Sequence, residues 1–289
     1  MTDAATPAAT PAATPAAPSS YVYYRHTLPV RIMHWINVVA LTVLFMSGMQ
    51  IFNAHPALNF GKSSYNGIEP LLEIGARMKP GGEPQGVTRI AGHEFDTTGW
   101  LGLTRGADGQ YERSTFPTWM MLPGPQWLSM ARSWHFFFAW VFVINGLAFL
   151  LYAIASRHLT RDLKPTGDEL KGIGASIREH LKFKHATGEA AKRYNVLQKL
   201  AYLVVIFILL PLIVLMGLAM SPWLDAVLAG WVDIVGGRQS ARSIHFIVAW
   251  LLLAFVFIHV FQVIVTGLWN NLRSMITGRY RVTAEVPHE

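Results

Sequence analysis

The sequence predicts an all-α integral membrane protein, a bundle of four transmembrane helices with a large exoplasmic loop between helices one and two. Three observations lead there. Of 289 residues, 52% are hydrophobic and 14% charged, against about 25% charged in an ordinary soluble domain, and the mean hydropathy is +0.31. Four charge-free stretches, 32–52, 133–155, 200–220 and 244–269, each supply the roughly 20 apolar residues that a helix needs to cross a bilayer core. Lastly, the basic residues sort by side. Fifteen Lys and Arg lie on segment 156–199 and the two ends and nine lie between the other spans, so net charge is +7 on one side and 0 on the other. The positive-inside rule makes the first side cytoplasmic, with both termini. This charge marks topology, and no nucleic-acid partner is expected.

Residues 1–22 hold a threefold Thr-Pro-Ala-Ala repeat, which buries too little apolar surface to offset ordering, and are expected to be a disordered tail. No basic n-region precedes an apolar run there, so no signal peptide is expected. Residues 23–281 form the membrane domain and 282–289 a cytoplasmic tail. Within the domain, 156–199 is a cytoplasmic loop and 53–131 an exoplasmic one. The latter, with twelve Gly and seven Pro, is too long for a simple connector. A short helix is expected over 68–78, and strands 87–95 and 111–116 are expected to pair across Asp108-Gly109. Cysteine is absent, which excludes disulfides, thiolate-held iron–sulfur clusters and covalently attached c-type haem.

Histidine is costly in hydrocarbon and marks candidate sites. His34 lies in the first stretch, His135 in the second, and His245 and His259 in the fourth. The last two are 14 residues apart, hence about 21 Å along the helix and about 40° around it, so they face one interior at two depths. Chain direction then sorts the four by depth: His135 with His245 toward the exoplasmic side, His34 with His259 toward the cytoplasm. Two imidazoles at one level are too few for zinc or iron held by residues alone, and these stretches carry no Asp, Glu or Cys. A haem supplies four nitrogens and needs two axial ligands. Two bis-imidazole haems are therefore expected, and with both axial positions filled the expected chemistry is electron transfer. Gly48 and Gly146 lie at the depths of the two pairs and offer room for a macrocycle. Arg132, Arg238 and Arg242 on one rim, and Arg25 and Arg31 on the other, are candidate propionate partners or interfacial anchors. His26 and His158 could replace His34 at the cytoplasmic edge.

The motifs Arg31-Ile-Met-His34-Trp35, Arg132-Ser-Trp-His135, Arg193-Tyr194-Asn195-Val-Leu-Gln198-Lys199 and Gly236-Gly-Arg-Gln-Ser-Ala-Arg-Ser-Ile-His245, followed by His259, resemble those of the di-haem cytochrome b subunits of Ni,Fe-hydrogenases, formate dehydrogenases and thiosulfate reductases. The Gly-Gly-Arg-Gln-Ser-Ala-Arg run and Met275-Ile-Thr-Gly-Arg279-Tyr280 are most similar to the thiosulfate-reductase-type branch. The resemblance implies that His34, His135, His245 and His259 ligate two haem b groups in a bacterial cytoplasmic (inner) membrane. It also implies a quinone near Asn195 and a periplasmic molybdopterin-dependent oxidoreductase as partner; the start of the third helix, with polar Tyr194, Asn195 and Gln198 next to Lys192, Arg193 and Lys199 on the inner side, makes Gln198 a second candidate donor to that quinone. A Ni,Fe-hydrogenase partner is the alternative, which the long outer loop disfavours. A haem-free membrane anchor or proton-relay transporter is the reading from a different class.

Overall fold

The computed structural model describes residues 20–64, 67–106, 108–124, 126–181, 195–228 and 230–283. The expected tail falls outside these up to residue 19, as do Lys192, Arg193 and Tyr194. Strand β1 (Ser20–Tyr24) opens the described chain and pairs antiparallel with the last strand, Arg279–Thr283, Tyr23 facing Tyr280. The end of the expected tail, residues 20–22, is therefore ordered, because the β-prone run Tyr21-Val-Tyr-Tyr finds a ladder partner across the molecule.

Helix α1 (Leu28–Asn53) starts with Pro29 in its first turn, where a missing N–H costs nothing. It leads into a lid of six strands: β2 (Ala57–Leu58), β3 (Leu72–Met78), β4 (Pro84–Ile90), β5 (His93–Asp96), β6 (Gly102–Arg105) and β7 (Tyr111–Ser114). The first four form one antiparallel sheet in chain order, and β6 pairs with β7. Two expectations are corrected here. Residues 72–78 are a strand, with Leu72, Ile74 and Ala76 alternating and Ile74 buried. Residues 87–90 and 93–95 are the two arms of a hairpin, since Ala91 and Gly92, at φ 47° and 82°, make a tight turn. The partner of Tyr111–Ser114 across Asp108-Gly109 is Gly102–Arg105. Gly102 has φ 77°, and a Cβ there would fall 1.9 Å from the Gly75 carbonyl oxygen, so only glycine lets β6 close on β3.

The lid seats on the bundle through a core of Met49, Phe52, Leu58, Ile74, Phe116 and Met121. It is also tied to the helix carrying His245: Gln239 N–H donates to Gly61 O at 3.0 Å and Ser243 Oγ to Asn59 O at 2.6 Å.

Helix α2 (Leu128–Ala155) returns through the bundle and packs along α1. Its residues Phe137, Trp140, Ile144, Leu147 and Leu151 form an exposed apolar stripe, which suits lipid rather than water. Two short helices follow, α3 (Gly167–Lys171) and α4 (Ile173–Leu181). Helix α5 (Val196–Ala219) spans again and widens into a π turn at Val205–Leu209, because Pro211 lacks the N–H that the carbonyl of Phe207 would accept. A short helix α6 (Pro222–Val227) precedes α7 (Arg238–Val265). Gly267, at φ 108°, then breaks the chain into amphipathic α8 (Leu268–Thr277), and β8 (Arg279–Thr283) ends the described chain. The fourth span therefore stops short of Trp269, which sits on α8. The four spanning helices and the mostly helical architecture agree with the sequence expectation. The bundle has a lid end and, opposite it, a terminal end where β1 and β8 meet.

At the terminal end, buried Lys199 on α5 reaches both Glu169 oxygens, at 2.8 and 3.0 Å. That bond, then the Thr166 backbone N–H, holds the Glu169 carboxyl below its ordinary 4.5. A depressed acid stabilises above the ordinary value and loses its effect as pH falls through the lowered one. The protection factors of amides 167–178, that is, their exchange relative to an unstructured chain at the same pH, are expected to fall as pH drops below 4.5, and to be low already at neutral pH in Glu169→Gln. Unchanged protection in that variant would show that the pair does not hold α3 to α5.

Candidate functional site

Helix α7 presents His245 near the lid end and His259 toward the terminal end. The ring of His245 lies 6.2 Å, centroid to centroid, from that of His135 on α2. The ring of His259 lies 6.3 Å from that of His34 on α1. These are the partners that depth alone suggests. The helices pack as two couples, α1 with α2 and α5 with α7, and each histidine pair bridges from one couple to the other. Around them α1 and α7 also meet through Phe45 and Trp250 at 5.4 Å and Phe52 and Phe246 at 4.4 Å.

In the lid-end pair each Nδ1 has a partner. His245 Nδ1–H donates to Ile213 O on α5 at 2.8 Å. His135 Nδ1–H donates to Ser47 Oγ on α1 at 3.0 Å, while the Ser47 hydroxyl donates to Val43 O at 2.6 Å. With the proton on Nδ1, the Nε2 lone pair is left for a metal, the arrangement by which a second contact sets the tautomer of a ligating imidazole. At the other level, Phe255 stacks on His259 at 6.0 Å and 22°, which fixes that ring by packing.

The residues fit an axially ligated haem. An iron about 2 Å from each of two imidazole nitrogens puts the ring centroids roughly 6 Å apart, the separation found at both levels. Among the described residues no three of His, Cys, Asp and Glu converge on one point, so each level offers two imidazoles, the number an iron in a macrocycle uses. Small residues flank the lid-end pair: a Cβ on Gly48 of α1 would lie 3.5 Å from His135 Cε1, and one on Gly217 of α5 would lie 3.4 Å from His245 Cε1. Sequence reasoning found Gly48 and missed Gly217, although its depth near the lid end of α5 matches that of His245. A Cβ on Gly146 would meet nothing within 4 Å. Its neighbour Asn145 acts instead, donating to Met33 O at 2.9 Å and Asn37 Oδ1 at 2.8 Å, and this buried link sets α2 against the α1 turn that carries His34.

The rim arginines have other engagements. Arg238 pairs with Asp225 at 3.2 Å, Arg242 donates to His55 O and lies over Phe52, and Arg132 lies over Phe136. Arg25 lies over Tyr280, and Arg31 donates to Ile276 O. His26 sits just before α1. Burial, with Arg25 beside it, pushes its pKa down to about 4, and the imidazole that faces His259 is His34.

Asn195 is the N-cap of α5 in a reciprocal capping box with Gln198. Its Oδ1 accepts from Leu197 N–H at 2.9 Å and Ser176 Oγ at 2.8 Å, and Gln198 Oε1 accepts from Asn195 N–H at 3.2 Å. The box uses both side-chain oxygens and neither amide nitrogen. Helices α5 and α7 run antiparallel, and their register is set by Tyr202 against Phe255, ring centroids 6.3 Å apart, and by the His245–Ile213 bond toward the lid. That register puts Gln198 level with His259, and Asn195 level with Gln262.

A family model described as prokaryotic cytochrome b561 matches residues 25–278. The putative protein-methionine-sulfoxide reductase subunit YedZ1 of Azospira oryzae is 28% identical over 260 residues, which cover 90% of this chain and 99% of the relative. The probable Ni/Fe-hydrogenase B-type cytochrome subunit of Cupriavidus necator is 21% identical over 273 residues, covering 90% and 86%. No solved structure matches. With four membrane-spanning helices and a family match running from before α1 to the end of α8, the chain belongs to the prokaryotic cytochrome b561 family and is a multi-pass membrane cytochrome b, an electron-transfer subunit that uses haem b.

Proposed function

We propose that this cytochrome holds two haem b groups, one between His135 and His245 and one between His34 and His259, and carries electrons between a quinone and an exoplasmic oxidoreductase. The observation that carries this reading is the pair of facing imidazole couples at two levels of one bundle. When bound, each haem iron takes up and gives back one electron. The chain's part is to hold it from both sides, exclude water with apolar helices, and fix the lid-end imidazoles through Ser47 and Ile213. The basic terminal end faces the cytoplasm of a bacterium in this reading, and the lid faces the periplasm.

The quinone meets the terminal-end level beside Asn195 and Gln198, whose amide nitrogens lie outside the capping box, Gln198 at the depth of His259 and Asn195 one turn farther out. Such donors stabilise a carbonyl that gains negative charge on reduction. On the lid side, the partner is a periplasmic molybdopterin-dependent oxidoreductase. A relative named as a reductase subunit aligns over 99% of its length, whereas the hydrogenase-type relative is less similar, which favours a reductase over a hydrogenase.

A haem assay with a redox titration tests the first part, with two low-spin components expected. For the second, Asn195→Ala is expected to keep both haems while its reoxidation by decylubiquinone slows by about tenfold, the loss of one buried hydrogen bond. A native rate and native half-saturation would leave Asn195 as a helix cap alone.

A further inference from the structure

We propose that Gln262 of α7 is the hydrogen-bond acceptor for the hydroxyl of the reduced carrier, a quinol, at the terminal end of the bundle. This rests on the quinone reading above and adds a residue and a preference for one redox form.

Gln262 Oε1 is buried and has no hydrogen-bond partner among the described residues. An orphaned acceptor of that kind forfeits stability, so a molecule that brings a donor would gain by meeting it. Its position is set by helix geometry. Gln262 is seven residues beyond Phe255, hence about 10.5 Å farther along α7 and only about 20° off the same face. Phe255 meets Tyr202 of α5, so Gln262 also looks toward the α5 seam. Seven residues back from Tyr202, before the π turn that would disturb the count, is Asn195. The two amides therefore stand level at the seam, one turn past His259.

The chemistry divides between them. A quinone offers two carbonyl acceptors and a quinol two hydroxyl donors. Asn195 has Oδ1 spent on Leu197 N–H and the Ser176 hydroxyl, so toward a ligand it is a donor. Gln262 brings an unpaired side-chain oxygen, the acceptor that Asn195 no longer offers. The donor serves the oxidised head group and the acceptor the reduced one, so removing the acceptor weakens quinol more than quinone.

The test uses the purified full-length protein. Haem reduction by decylubiquinol and haem reoxidation by decylubiquinone are followed optically in wild type, Gln262→Leu and Gln262→Glu, after haem spectra are compared. Expected for the leucine variant are native spectra, about a tenfold higher half-saturating quinol concentration, and less than about a threefold change for quinone. The glutamate variant keeps an acceptor oxygen and is expected within about threefold of wild type for quinol. A leucine variant with native quinol half-saturation, while Asn195→Ala is impaired, would overturn the role of Gln262 and leave the quinone reading standing. Loss or spectral shift of one haem in that variant would assign Gln262 to the haem pocket and overturn the proposal. A wild-type protein that decylubiquinol does not reduce would remove the quinone reading itself.

Discussion

Alanine at His135 is expected to yield a protein that binds one haem in place of two. His135 and His245 face each other at the lid-end level, with no group of three metal-ligating side chains there among the described residues, and the other pair lies about 21 Å away along α7, with no shared residue. Without the His135 imidazole, a haem at that level would be held by His245 alone, and the Ile213 carbonyl that fixes the His245 ring would not supply a second ligand. The reciprocal variant, His34→Ala, should remove the terminal-end haem and keep the lid-end one. Haem per protein by pyridine haemochrome, with a redox titration to show which component vanishes, checks both. Two undiminished low-spin haems in either variant would mean that the pairs do not ligate iron.

The second large effect is expected at the two glycines that flank the lid-end pair. A Cβ at Gly48 or Gly217 would sit at 3.5 or 3.4 Å from the nearest imidazole carbon, ordinary or only slightly tight contact. Alanine should therefore be accepted, with both haems retained. Leucine adds three carbons in the direction of the ring, and a close-packed site does not accept that volume without displacing a side chain. Gly48→Leu and Gly217→Leu should lose the haem held by His135 and His245 and keep the other. The contrast between alanine and leucine separates steric exclusion from general helix destabilisation, which for glycine replacement in a helix would run toward greater stability. Should leucine at Gly217 leave both haems intact, α5 would be no wall of that site.

Part of this was legible in residue order. The four spans follow from runs of apolar residues too long for a soluble helix, and the histidine pairs follow from counting along straight helices of known direction, because depth in a bilayer is one-dimensional. The capping box at Asn195 was also written in the sequence, as an Asn with a Gln three residues on. What residue order left open depends on contacts between distant segments. Residues 72–78 form a strand because β4 lies beside them, and a lone segment of that length cannot announce its partner. The roles of Ser47, Asn145 and Gly217 required knowing which helices pack together, since each acts on a neighbour across the bundle. Gln262 is the clearest case. As a residue it is one more amide near a helix end, and only the register of α5 against α7 sets it, with an unpaired oxygen, at the depth of Asn195. Local periodicity and membrane thickness thus determined the spans and the levels of the four histidines, whereas side-chain partners were decided by tertiary packing, where separation in sequence carries no information about distance.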